Sequence, residues 1–214
     1  MPGSPSLARV AREARACRLC ANVLPLAPRP VFHVGRRARL LIVGQAPGRR
    51  VHETGISWND PSGDTLRAWL GIGREDFYDT SRIAIVATGL CYPGSGRGGD
   101  LPPRPECAPR WQPRFRAALP ALTLTLLVGA HAQAYYLGRR RKATLAATVR
   151  AWREYLPEYF PLPHPSPRNK RWLANNPWFE RDVIPALRRR VRRALRSNPA
   201  PDGIIRALTP MIPV

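Results

Sequence analysis

The sequence predicts an α/β domain, a three-layer α/β/α sandwich built on a central four-stranded parallel sheet. Three continuous apolar runs, 39–44 (RLLIVG), 82–88 (RIAIVAT) and 122–129 (LTLTLLVG), have the unbroken hydrophobicity of strands buried on both faces. A weaker fourth run covers 159–163. Helical patterns fill the intervals, and strand alternating with helix is how a parallel sheet covered on both sides reads in sequence. A chain of 214 residues, 44% apolar, is long enough for one core that hides roughly 70% of the unfolded surface without disulfides.

Taken in order, residues 6–16 space Leu7, Val10, Ala11 and Ala14 along one helical face and run into Cys17-Arg-Leu-Cys20. Residues 62–72 begin at a capping serine and set Leu66, Trp69 and Leu70 on one side. Segments 106–119, 131–137 and 144–155 are further helices. The last, 178–196, is strongly basic beyond Pro185, a face that either sits in solvent or tracks phosphates. Residues 1–196 therefore read as one domain, and 197–214 as a Pro-containing tail expected to be disordered. Sites in open parallel sheets lie beyond the carboxyl ends of the strands. The loops beginning at Gly44, Gly89, Gly129 and Pro163 are the places to look.

Charge narrows the partner. Lys and Arg number 35 against 14 Asp and Glu, a net charge of +21. Such an excess repels itself in a compact state unless a polyanion offsets it, which points to nucleic acid. No stretch approaches the ~20 apolar residues of a membrane helix. The first sixteen residues also lack the apolar block of a secretory signal, so the expectation is a cytoplasmic, nucleoid-associated monomer with no membrane partner. In that compartment four cysteines are expected to hold a metal or to stay as thiols.

Two loops carry candidate chemistry. Gly44-Gln45-Ala46-Pro47-Gly48 follows the first strand directly; its glycines allow a ligand close to the main chain, and Gln45 offers donor and acceptor to a base edge. His164-Pro-Ser166-Pro-Arg168-Asn169 follows the fourth strand, where two prolines stiffen the loop that holds His164. An imidazole so fixed can donate a hydrogen bond to charge developing on a leaving group.

Together these motifs resemble the two active-site motifs of the uracil-DNA glycosylase superfamily, over roughly residues 11–192. The stretch from Gly55 to Asp64 is similar to the aromatic-bearing loop after the first motif, and Leu127-Val-Gly-Ala-His131 is also similar. The four cysteines, Cys17, Cys20, Cys91 and Cys107, fit zinc or an iron–sulfur cluster by residue type. Their arrangement resembles the 4Fe–4S ligands of the family-four, iron–sulfur enzymes. The resemblance thus implies a glycosylase of base-excision repair that acts on DNA, single- or double-stranded, and leaves an abasic site.

It further implies roles. Trp58 would stack on the extruded base, with Gln45, Ala46, Asn59 and Thr88 around it. Pro47, Gly48, Ser166, Arg168 and Asn169 would touch DNA. His164 would stabilise the departing base. Some members carry an acid where this chain has Gln45, so Asp60 is assigned the water-activating role, with Glu53 and His52 as alternatives. Members usually read uracil with an asparagine at the position of Ala87, which leaves another deaminated base, hypoxanthine or xanthine, open as substrate. Binding of damaged or abasic DNA without catalysis is the remaining alternative.

Overall fold

The apolar runs pair as one parallel sheet: β1 (Leu40–Val43), β2 (Ile83–Ile85), β3 (Leu124–Val128) and β4 (Tyr159–Leu162). The order across the sheet is β2-β1-β3-β4, with Leu40 beside both Ile83 and Leu124, and Thr125 beside Tyr159. The computed structural model describes residues 6–196. The expected tail at 197–214 lies outside the described residues.

Every residue of these strands is buried, which explains the unbroken hydrophobicity. Leu40, Ile42, Ile85, Leu126 and Phe160 point to one face and meet helices α3 (Pro61–Leu70) and α9 (Ile184–Arg196). Leu41, Val43, Val86 and Leu127 point to the other and pack with α1 (Leu7–Arg15), α5 (Cys107–Ala117) and α6 (Ala130–Leu137). Val10, Ala11 and Ala14 are the buried face of α1, as their spacing predicts. The fourth run was the weakest because β4 is an edge strand carrying Pro161, which has no N–H to give a neighbour. At the opposite edge, His33 bridges Ile85 in antiparallel fashion and covers β2.

The differences from expectation have local causes. The cap of α3 is Asp60, whose Oδ1 accepts from Gly63 N at 2.9 Å, and not Ser62; Pro61 occupies the first helical position. The helix expected over 144–155 is α7 (Leu145–Arg150) followed by a 3₁₀ segment, Trp152–Tyr155. The helix expected from 178 enters through a wide π-type turn, Phe179–Val183, just before Pro185, whose ring cannot follow a regular turn comfortably. Helices α2 (Arg49–Thr54), α4 (Arg74–Tyr78) and α8 (Lys170–Asn175) and a hairpin pairing Ser95–Gly96 with Gly99–Asp100 were not foreseen. No helix among the described residues is long and apolar enough to cross a membrane.

Phe160 is fully buried and stacks on Trp152, ring centroids 4.9 Å apart at 20°. Phe160→Ala is expected to lower unfolding free energy by about 3–5 kcal/mol, read from the urea midpoint. An unchanged midpoint would contradict this packing.

Candidate active site

A cavity of about 670 Å³ opens beyond the carboxyl ends of β1, β2 and β4. The GQAPG loop, the 57–62 segment, the 95–100 hairpin and the HPSPRN loop surround it. Both motifs singled out in the sequence thus face one space.

Trp58 forms one wall under unusual constraint. Its φ is 58°, the only positive value among the described non-glycine residues, a conformation that costs about 1–3 kcal/mol unless its surroundings impose it. Here they do. Arg67, buried and paired with Asp64 (Nη2 to Oδ1, 2.6 Å), donates from Nη1 to the Trp58 carbonyl at 3.3 Å. Gly63 leaves room for that carbonyl, since a Cβ there would stand 1.8 Å from it. The indole lies against Gly44, where a Cβ would meet Cζ2 at 2.9 Å, and against His164, ring centroids 5.6 Å apart.

His164 is fixed through its backbone. Asn169 Nδ2 donates to the His164 carbonyl at 2.6 Å, and Ser166 Oγ accepts from Arg168 N at 3.2 Å. Gly129, at the end of β3, lies against the His164 side chain. Burial pushes the His164 pKa below 6.5, opposed by the negative charges of Asp60 and Asp100. The ring is therefore neutral at neutral pH, with one N–H to donate.

The first motif is braced from behind. Thr88 Oγ1 donates to the Gln45 carbonyl at 2.6 Å and lies within reach of that of Gly44 at 3.2 Å. Its hydroxyl is engaged there, and Thr88 is absent from the cavity lining. Ala87 does line the cavity, and its carbonyl accepts from buried Gln112 at 2.7 Å.

Gln45, Ala46, Pro47, Gly48, Trp58, Asp60, His164, Ser166, Arg168 and Asn169 all reach the cavity. Asn59, Glu53 and His52 do not line it. Asn59 Oδ1 accepts from Arg74, and Glu53 pairs with Arg49 at 3.0 Å. His52 tilts against Tyr92, with its Nδ1 buried and unpartnered among the described residues. Arg168 donates to the Gly98 carbonyl at 3.0 Å and so ties the HPSPRN loop to the hairpin. The hairpin, with Asp100, is what the sequence reading missed; its turn is Arg97-Gly98, between the paired Gly96 and Gly99.

The basic face of α9 lies elsewhere. Arg189, Arg192, Arg193 and Arg196 line a separate shallow concavity. Arg39, at the start of β1, donates to the Ala194 carbonyl, which places the end of α9 at the amino end of the sheet. Arg188 caps α3 by donating to the Ala68 carbonyl at 2.9 Å.

The four cysteines surround one small pocket between α1, α5 and the segment after β2. Leu90 N donates to Cys107 Sγ at 3.3 Å, the main-chain N–H of Arg29 faces Cys91, and the Arg104 side chain faces Cys20. Arg104 Nε is buried and without a partner among the described residues. Sulfurs met by N–H donors and by a half-buried arginine suit thiolates, so the donor set fits a group held by four cysteines. No His, Cys, Asp or Glu group among the described residues is arranged to hold a single metal ion. Burial pushes the Cys91 thiol up to about 11 and that of Cys107 up to about 12, so binding a cation there displaces protons.

A doubly covered parallel sheet whose strand ends carry a polar, aromatic-walled cavity defines an open α/β protein with its candidate site beyond the strand ends. The family model of the uracil DNA glycosylase superfamily matches residues 32–188, and the chain belongs to that superfamily. The matched span includes every cavity-lining residue but Val31 and excludes Cys17 and Cys20. The chain is also similar to the solution NMR structure of a uracil DNA glycosylase candidate from Methanosarcina acetivorans, at 18% identity and a TM-score of 0.48, over 75% of this chain and 98% of that one.

Gly63→Ala is expected to force the Trp58 carbonyl out of place and lower stability by more than about 2 kcal/mol. Thermal unfolding checks this, and an unchanged midpoint would show that the 58–63 turn relaxes freely.

Proposed function

We propose that the protein is a monofunctional DNA glycosylase that hydrolyses the N-glycosidic bond of uracil, or of another deaminated base, and leaves an abasic site. The observation that carries this reading is His164, kept neutral by burial and held beside Trp58 in the wall of a cavity large enough to admit a nucleotide. A base inside a duplex is out of reach, so the nucleotide must turn out of the stack, at a cost of a few kcal/mol that is lower for a mispaired base. The net charge of +21 supports phosphate binding. Trp58 offers its face to the extruded ring, and Gln45 offers an amide to the base edge. As the bond to the sugar breaks, the neutral His164 ring donates its N–H to the charge collecting on the base.

Uracil is the leading substrate on family grounds. Hypoxanthine or xanthine is favoured by one observation: Ala87 lines the cavity where the family usually offers an amide, which leaves space and no fixed donor–acceptor pair. No lysine lines the cavity, which supports water as nucleophile over a covalent amine intermediate. Cys17, Cys20, Cys91 and Cys107 would hold a 4Fe–4S cluster, in preference to zinc, whose four sulfurs would need to converge to about 2.3 Å from one ion. When bound, the cluster would tie α1 to the 91–107 segment and so steady the hairpin over the cavity.

Protein purified without oxygen should release uracil, hypoxanthine or xanthine from labelled oligonucleotides, with abasic sites revealed by alkali. His164→Ala should slow release about 10²–10³-fold, the loss of one transition-state donor. DNA binding with no release of any of these bases would favour a non-catalytic damage-binding protein, and trapping by borohydride would contradict water as nucleophile. Cys107→Ser is expected to abolish brown visible absorbance and lower the unfolding midpoint. A colourless wild type containing stoichiometric zinc would replace the cluster with zinc.

A further inference from the structure

We propose that Asp100, on the 95–100 hairpin, is the carboxylate that positions and deprotonates the attacking water; this rests on the glycosylase reading. Hydrolysis needs a proton acceptor near the sugar. Gln45 cannot take a proton, and only Asp60 and Asp100 among the cavity-lining residues are acids. Both lie near enough to His164 for their charges to oppose the effect of its burial.

Their other contacts separate them. Asp60 Oδ1 is committed to the first turn of α3 through Gly63 N, and a cap of this kind is worth about 1 kcal/mol of stability. Asp100 carries no such duty. Ser95 Oγ donates to its Oδ1 at 3.0 Å and is itself joined to Tyr92 Oη at 2.7 Å, which orients the carboxylate. The other oxygen, Oδ2, is left over the GQAPG loop, 3.1 Å from where a Cβ on Gly48 would stand. A side chain at position 48 would crowd this oxygen, and glycine keeps it clear. The hairpin is anchored at both ends of its reach: Leu101 N donates to the Gly94 carbonyl at 2.8 Å, and Arg168 holds Gly98 from the His164 loop. Asp100 is thus fixed relative to His164 by a direct link between the loops that carry them.

The step balances as follows. The C1′–N bond breaks and its electron pair goes to the base, whose negative charge the His164 N–H stabilises by a hydrogen bond. The water oxygen forms the C1′–O bond, and its proton passes to Asp100 and from there to the departing base. The products are the neutral base and the hydroxylated abasic sugar.

The test is single-turnover release, from DNA carrying the base the wild type removes, for Asp100→Asn and Asp60→Asn, with affinity for an abasic-site analogue and unfolding midpoints measured alongside. Asp100→Asn should lower the rate about 10²-fold or more and leave affinity and midpoint near wild type. Asp60→Asn, which keeps the capping oxygen, should show the smaller rate loss with a midpoint near wild type. Release by Asp100→Asn at close to the wild-type rate, or a greater rate loss in Asp60→Asn at unchanged stability, would overturn the assignment and leave the glycosylase reading standing. A wild type that releases no base would sink both.

Discussion

The left-handed turn at Trp58 is the constraint on which the site depends. An L-residue does not hold φ of 58° without help. The help comes from three neighbours that the sequence places within nine residues: Asp60 starts α3, Gly63 leaves space for the Trp58 carbonyl, and Arg67 reaches back to bond it. The indole then has one place to lie, between Gly44 at the end of β1 and His164 beyond β4. The two motifs thus meet through a side chain that belongs to neither.

The sheet supplies what this turn needs. Because β1, β3 and β4 run parallel and in register, the GQAPG and HPSPRN loops leave from the same edge, about 120 residues apart in sequence and close in space. Burial on both faces makes those strand ends rigid, and Thr88 and Gln112 spend their polar groups on the carbonyls just beyond them. Flexibility is left to the segments laid over the sheet, and these are held by polar ties: Arg168 to Gly98, Asn169 to His164, and Arg29 to the carbonyls of His52 and Glu53.

How much of this the sequence disclosed follows from how local each cause is. The strands were legible because burial on both faces leaves no polar residue to blur the pattern. The two motifs and the cysteine set were legible as residue types, and the structure gathers all four cysteines around one pocket. The cap of α3 was misplaced because Asp60 and Ser62 both suit the role, and only Pro61 at the first helical position decides between them. Thr88 sits at a strand end as a base-binding residue would, yet the direction of its hydroxyl is set by tertiary packing. The hairpin was missed because its strands are two residues long, too short for any period, and its position over the cavity depends on Arg168, seventy residues away.

The most direct test of the account is a crystal structure of the protein with duplex DNA carrying a 2′-fluorinated deoxyuridine, whose glycosidic bond resists cleavage. The account predicts the uracil ring inside the cavity, face against Trp58, with a ring nitrogen of His164 at hydrogen-bond distance from a base carbonyl. A base left in the stack with the cavity empty, or a bound base whose polar edge meets neither Gln45 nor His164, would contradict it.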